Sequence, residues 1–313
     1  MKTSALALEE LSHSVLAVPP LARMADGSLA EAANRSLAAH LEAGGMRILL
    51  YGGNANLYHQ PVSEFEAMLD LLERITGPET RVIPSIGPDY GKMHDQALML
   101  RRSACRTAMV LPMQGVTSPE GVVEGVRRVS DRAAMPLTLY LKGEGVVRAA
   151  DVQALVASGH IWCIKYAVVR PDPLQDPLLR DLLDRIGGER IVSGMGERPV
   201  LDHVGRTGLV SFTTGSGCLA PRTCLALLRA LQSGQHDLAA GLHQRFMPLE
   251  NLRESISLIR VLHDAVSWSG LADMGPQLPL LSSTPESARA AVTAQARVLL
   301  DQDRAPAAVS ESA

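Results

Sequence analysis

Eight short apolar runs, each followed by a stretch of helical character, set the tightest limit on what this chain can fold into. The runs are Ser14–Pro19, Met46–Tyr51, Arg81–Pro84, Thr107–Leu111, Pro136–Tyr140, Ile161–Tyr166, Arg190–Ser193 and Leu209–Phe212. Between and after them lie helical patterns at Leu29–Ala43, Ser63–Ile75, Gly91–Ser103, Ser118–Ser130, Ala149–Ser158, Pro177–Ile186 and Pro221–Gln232. Strand, helix and strand in alternation is the pattern of βαβ units on a parallel sheet. Eight units in unbroken succession predict an α/β protein, a closed (β/α)8 TIM barrel with additional C-terminal helices. The strand runs are almost wholly apolar, as strands covered on both faces must be. An open dinucleotide-binding sheet is the competing arrangement, but no GxGxxG follows the first run.

The rhythm changes after the eighth unit. His236–Trp268 is long, amphipathic and strand-free, and Pro285–Asp301 is an Ala-rich helical pattern. Residues 1–234 therefore read as the barrel and 235–303 as a helical extension packed on it. Residues 304–313, rich in Ala, Pro and Ser, read as a disordered tail.

Composition narrows the function. Of the 313 residues 46% are hydrophobic and 20% charged, enough for a large core and too apolar for disorder. The net charge of −3, without a dense basic run, offers no footprint for nucleic acid. Apolar stretches are too short to span a bilayer, and no secretory pattern opens the chain, so a cytoplasmic location is expected. Cys105, Cys163, Cys218 and Cys224 have no ligand spacing and read as buried, reduced thiols. None of the nine histidines pairs at metal-ligand spacing. His59 is the most interesting of them, because it follows the loop after the second strand.

In a barrel the chemistry belongs at the C-terminal ends of the strands. Lys165 stands out there, in Ile161-Trp162-Cys163-Ile164-Lys165-Tyr166, where every neighbour is apolar or aromatic. Low-dielectric surroundings disfavour an ammonium and free the amine to attack a carbonyl. A lysine whose head reaches the rim, or pairs with a carboxylate, is the bland reading of the same pattern. Tyr140 ends the neighbouring fifth run and can pass protons beside Lys165, although an ordinary core-edge aromatic is the commoner case. Tyr51-Gly52-Gly53-Asn54-Ala55-Asn56 can turn backbone N–H groups toward a carboxylate, though Gly-Gly-Asn is also a common tight turn. Thr213-Thr214-Gly215-Ser216-Gly217 reads as a polar, flexible lip.

Taken together these segments resemble the dihydrodipicolinate synthase / N-acetylneuraminate lyase family of class I aldolases over nearly the whole chain. Val15-Leu16-Ala17-Val18-Pro19-Pro20, Asp26-Gly27-Ser28 and Glu42-Ala43-Gly44-Gly45 resemble the family's first unit. Gly52-Gly53 stands at its GTTGE-type loop, Tyr140 at its strand-five tyrosine and Ile164-Lys165 at the strand carrying its Schiff-base lysine. Ser193-Gly194 and Gly208-Leu209-Val210-Ser211 match the last two strands. The resemblance implies a catalytic pair, Lys165 and Tyr140, and a substrate-binding set of Gly53, Asn54, Ala55 and Val210. It implies a small 2-keto acid, such as pyruvate or a 2-keto-3-deoxy sugar acid, held as a covalent imine on Lys165. No metal or organic cofactor is implied, and the assembly would be a homotetramer or homodimer.

The departures are informative. The family's paired threonines fall on Asn54 and Ala55, and its second relay tyrosine, supplied by a neighbouring subunit, falls near Met113-Gln114. The synthases' arginine after strand five is absent from Leu141-Lys142-Gly143-Glu144-Gly145. Lys142 restores part of that charge without arginine's bidentate fork. The expectation is a Schiff-base lyase, aldolase or dehydratase, other than the lysine-pathway synthase itself. The alternative is a non-catalytic keto-acid-binding or regulatory paralogue on the same barrel. A phosphate-dependent barrel enzyme ranks last, its only glycine-rich candidate being Gly215-Ser216-Gly217.

Overall fold

A computed structural model describes residues 1–113 and 115–305. Eight parallel strands close into a barrel in the order β1 to β8. They are β1 (Leu16–Ala17), β2 (Ile48–Tyr51), β3 (Arg81–Ile86), β4 (Met109–Val110), β5 (Leu137–Leu141), β6 (Ile161–Tyr166), β7 (Ile191–Ser193) and β8 (Ser211–Thr214). All are buried apart from Tyr140, which is half-buried. The outcome is the predicted (β/α)8 barrel with added C-terminal helices. The eighth strand lies two residues later than the hydrophobic run suggested, because Thr213 and Thr214 continue the ladder by pairing with Leu16 and Ala17 of β1.

Local chemistry sets the helix ends that position the strand-end loops. Asp89 caps α4 (Tyr90–Arg102) by accepting from the Lys92 N–H at 2.8 Å. Ser118 with Pro119 opens α5 (Pro119–Ala133), and Asp176 with Pro177 opens α7 (Pro177–Ile186). The strand-free region after α9 (Pro221–Gln232) divides at Ser257 into α10 (His236–Ile256) and α11 (Leu258–Trp268). Ser257 is fully extended, at φ −175° and ψ 124°, and its hydroxyl accepts from the Arg260 N–H. A capping serine thus ends one helix and starts the next. The last helix, α12 (Arg289–Arg304), takes in Arg304, and residues 306–313 of the predicted tail lie outside the described residues.

At the opposite end from the chemistry, α1 (Glu9–His13) closes the barrel floor, a feature the sequence reading missed. Its Glu10 forms a two-point pair with Arg81 at the start of β3, at 2.6 and 2.7 Å. Removing Glu10 would leave the buried Arg81 guanidinium without its carboxylate. All four cysteines are free and buried, and desolvation pushes each thiol up, which keeps them unreactive. Among the described residues no helix is long and apolar enough to cross a membrane.

Candidate active site

Strand alternation decides which side chains enter the barrel. Cys163 and Lys165 share one face of β6, and Thr138 and Tyr140 share the matching face of β5. Thr107, Thr138 and Cys163 form a buried chain, Thr107 to Thr138 at 3.2 Å and Thr138 to Cys163 at 3.5 Å. One layer above it, Tyr140 stands opposite Lys165 in the β5–β6 register. Parallel pairing with both strands ending together is therefore what brings the two groups into contact.

Lys165 is 6% exposed. Its Nζ lies 3.5 Å from the centre of the Tyr140 ring and donates to the Gly194 carbonyl at 3.0 Å. Burial first, and the positive charge of Lys142 second, hold its pKa well below the ordinary lysine value. An aromatic face and a carbonyl both favour an ammonium, but neither supplies the full countercharge that burial demands. Burial therefore shifts the balance from the ammonium toward the neutral amine, with Nζ donating to Gly194. Burial also pushes the Tyr140 phenol up, partly offset by Lys142, so it stays protonated. Its hydroxyl has no partner among the described residues.

Gly194 has to be glycine. A Cβ there would stand 2.8 Å from Lys165 Cγ and 2.9 Å from the Tyr166 carbonyl oxygen. Only a bare backbone lets the loop after β7 reach over the lysine.

That loop is anchored by a buried cluster that sequence reasoning did not assemble. Glu197, fully buried, accepts from the Thr214 hydroxyl and from the Gly217 N–H at 3.0 Å. Burial, with the nearby Glu250 carboxylate, pushes its pKa up to about 8. Glu250 is paired to Arg253 on α10 and accepts from the Ser216 hydroxyl. Thr213–Gly217 is consequently a buried, bonded segment and not the flexible lip expected from its composition. The residues are small and polar because they fill carboxylate lone pairs inside the protein.

The loop after β2 opens with a 3-10 turn, Gly53–Ala55. The N–H groups of Gly53 and Asn54 have no acceptor among the described residues, whereas that of Ala55 binds Gly52 O at 3.1 Å. Two adjacent free amides are what an anion nest requires. The Asn54 side chain is committed elsewhere, donating to Val18 O at 2.8 Å, and Ala55 is core. Val210 stands at the N-terminal end of β8, its N–H on Gly188 O and Ile191 O, away from the loops that follow the strands. The family resemblance, and not the strand boundary, is what placed it in the expected substrate-binding set. Tyr166 is on the outer face of β6, donating to Asp176 at 2.5 Å in a group completed by Arg170 and Glu144. Gln114, in the expected position of the second relay tyrosine, lies outside the described residues.

Tyr58 was overlooked in the sequence. It sits in the same loop as the free amides, its ring edge beside Gly53, where a Cβ would stand 3.6 Å from Tyr58 Cε2. Lys92 of α4 fixes its backbone by donating to the Leu57 and Tyr58 carbonyls at 3.1 and 3.3 Å. Burial raises the Tyr58 phenol, and the Tyr140 phenol raises it further. A cavity of about 510 Å³ opens on the other side of Tyr140, walled largely by Met93, Val110, Leu111, Val122 and Leu139.

No family model and no curated protein matches the chain. Solved structures do. A dihydrodipicolinate synthase from Bacillus clausii superposes with a TM-score of 0.81 at 17% identity, covering 92% of this chain and 97% of its own. This chain has the fold of that synthase. The same fold is found in the N-acetylneuraminate lyase of Proteus mirabilis, with a TM-score of 0.78, 16% identity and coverage of 92% and 98%. YagE, a prophage protein of the dihydrodipicolinic acid synthase family from E. coli K12, was solved with pyruvate. It gives a TM-score of 0.77 at 20% identity, with coverage of 92% and 98%. In this synthase and lyase fold Lys165 and Tyr140 occupy adjacent strand ends of the barrel.

Proposed function

We propose that the chain is a divergent member of the dihydrodipicolinate synthase / N-acetylneuraminate lyase family, a Schiff-base lyase that acts on a small 2-keto acid through Lys165. The observation that carries this reading is the buried amine of Lys165, 3.5 Å from the Tyr140 ring centre, with its pKa held well below the ordinary lysine value. A surface lysine would be protonated and inert; this one is desolvated and beside a protonated phenol. The names of the structural neighbours, a synthase and a lyase, and the pyruvate bound to YagE agree with it.

The steps follow from the groups present. Lys165 Nζ adds to C2 of the keto acid, and the C2 oxygen takes a proton from the Tyr140 phenol. The nitrogen gives up a proton, water leaves, and a protonated imine remains. That cation draws electrons from C3, so a C3 proton is lost, or the C3–C4 bond breaks as a C4 hydroxyl loses its proton. The free N–H groups of Gly53 and Asn54 hold the carboxylate. On this reading the chain needs no metal or organic cofactor and works in the cytoplasm as a homotetramer or homodimer. The competing reading, a keto-acid-binding paralogue without turnover, is favoured by one observation. The residues at the family's threonine pair, Asn54 and Ala55, are both committed to structure.

Exchange of pyruvate methyl protons for deuterium separates the two. In D2O the enzyme reading requires proton NMR loss well above the protein-free rate, through the C3-deprotonated enamine. A binding paralogue leaves the methyl signal at background. The acid side of this activity has a definite sign. Lys142 disfavours protonation of Lys165, so Lys142→Met raises the Lys165 pKa and leaves less free amine at a given pH. The acidic limb of kcat/KM for exchange should move to higher pH, since that ratio reports groups of the free enzyme. A limb that stays put, or moves to lower pH, would show that Lys142 does not act on the nucleophile.

A further inference from the structure

The carboxyl of Glu197 is buried in the loop that reaches over Lys165, and the imine steps leave it unused. We infer that Glu197 positions the nucleophile: by tying the turn after β7 to the end of β8, its side chain holds the Gly194 carbonyl against Lys165 Nζ. The inference rests on Lys165 as the nucleophile and adds the group that sets where its amine points.

Geometry carries the inference. The turn runs from Gly194 to Glu197 and is fixed at both ends. At its start the Gly194 N–H donates to the Tyr166 carbonyl at 2.6 Å, and the Gly194 carbonyl accepts from Lys165 Nζ at 3.0 Å. At its end Glu197 Oε1 accepts from the Thr214 hydroxyl and from the Gly217 N–H at 3.0 Å. Thr214 is the last residue of β8, paired with Ala17 where the barrel closes, so the turn is anchored to a rigid element. Between these ends Met195 and Gly196 make no hydrogen bond to another segment among the described residues. The Glu197 carboxyl is therefore the first fastening after Gly194. Glu250 of α10 presses on the middle of the turn, where a Cβ on Gly196 would stand 3.0 Å from Glu250 Oε2.

Charge makes this fastening sensitive to pH. Glu197, Glu250 and Arg253 are all buried, and the one guanidinium is taken by Glu250, which also accepts from the Ser216 hydroxyl. Glu197 Oε2 has no hydrogen-bond partner among the described residues. The other groups that face Glu197 supply no cation. The Cys218 and Cys224 thiols are pushed up, and the His243 imidazole is held below its ordinary value beside the Arg198 carbonyl. Arg198 itself turns to Glu254 and Asn251. An ionised Glu197 is thus a second buried anion facing a cation already in use. Burial first, and Glu250 second, raise its pKa to about 8, so they outweigh the two donors that favour the anion. Above that pH the carboxylate is driven toward water and takes the turn with it.

The test uses the full chain with pyruvate and two variants. Glu197→Gln keeps the oxygen to which Thr214 and Gly217 donate and cannot ionise; Glu197→Ala removes the fastening. At neutral pH Glu197→Ala should lose about 100-fold in kcat for methyl exchange with KM little changed, the scale of a misplaced reacting group. Glu197→Gln should restore most of that rate. Corrected for protein-free exchange, the unmutated chain should slow as the pH rises through about 8, and Glu197→Gln should not. Thr214→Val removes one donor from the β8 side, and should lower kcat in the same direction even where Glu197→Ala fails to fold. A second readout does not depend on the imine. A carboxyl whose folded pKa is raised contributes stability that is complete below its unfolded value and lost as the pH rises through the folded one. The melting temperature of Glu197→Gln should therefore gain on that of the unmutated chain between about pH 4.5 and about pH 8, and keep its lead above. Near-normal exchange by Glu197→Ala, an alkaline limb that persists in Glu197→Gln, or a raised KM at constant kcat, the mark of a substrate contact, would each overturn the positioning role. Absence of borohydride trapping in the unmutated chain would instead overturn the imine reading, and with it the nucleophile to be positioned, while the melting difference would stand.

Discussion

Replacing Lys165 by methionine is expected to reduce pyruvate deuterium exchange to the protein-free background while leaving the barrel at least as stable. Methionine is unbranched and follows the path of the lysine stem between Tyr140 and Gly194, so no cavity opens. The thioether cannot form an imine. The stability change has a sign that can be worked out from the depressed pKa. Near neutral pH the unfolded chain holds Lys165 protonated, whereas burial shifts the folded chain toward the free amine, so folding is coupled to proton release. That release opposes folding at every pH below the unfolded value of about 10.4 and eases as the pH rises toward it. Methionine removes the penalty. Loss of catalysis with a maintained or raised melting temperature is the signature of a strained nucleophile. Appreciable exchange by Lys165→Met, in a folded sample, would place the chemistry on another group.

The second large effect belongs to Tyr140→Phe. Its hydroxyl makes no bond to the described residues, so removing it costs about 1 kcal/mol of stability or less. The ring remains under the lysine and keeps the contact at 3.5 Å. Turnover, by contrast, should fall about 100-fold or more, because the C2 oxygen loses its proton donor. The measurement is exchange rate beside a thermal melt. A folded variant with a near-normal rate would assign the donor role elsewhere. Tyr166 is excluded by its position on the outer face of β6, bound to Asp176.

How much of this was legible in the chain follows from what each feature depends on. The barrel was legible because burial of both strand faces forces continuous apolar runs, and eight of these survive in the sequence. Lys165 was legible for the same reason, as one charge inside such a run. Tyr140 was legible because adjacent parallel strands end together, which the β5–β6 register realises. Contacts made by distant segments were not. Glu197 follows β7 with no sequence pattern to mark it, and only folding brings it to Thr214 and Gly217 and sets Glu250 with Arg253 of α10 nearby. The end of β8 was misread because the threonines that complete it are polar and a hydrophobic run cannot count them, whereas Val210 came from the family resemblance and stands at the other end of that strand. Tyr58 was hidden for a different reason: its place beside Gly53 depends on how the loop after β2 folds, and Tyr-His-Gln carries no pattern. The break at Ser257 was in principle readable, since serine before Leu-Ile-Arg is a helix start, but amphipathic character on both sides masked it.

The central claim is that Lys165 forms an imine with a 2-keto acid, and reductive trapping measures that bond itself. The unmutated chain is incubated with pyruvate, and with longer 2-keto acids, then treated with borohydride and mapped by peptide mass. The account requires a stable secondary amine on the peptide containing Cys163-Ile164-Lys165-Tyr166, saturating at one per chain. Labelling should disappear in Lys165→Met and persist in Tyr140→Phe at the end point, since the phenol moves protons and does not form the bond. No adduct from any of these keto acids, while an aldolase treated in parallel is labelled, would contradict the account and leave a binding protein on an aldolase barrel.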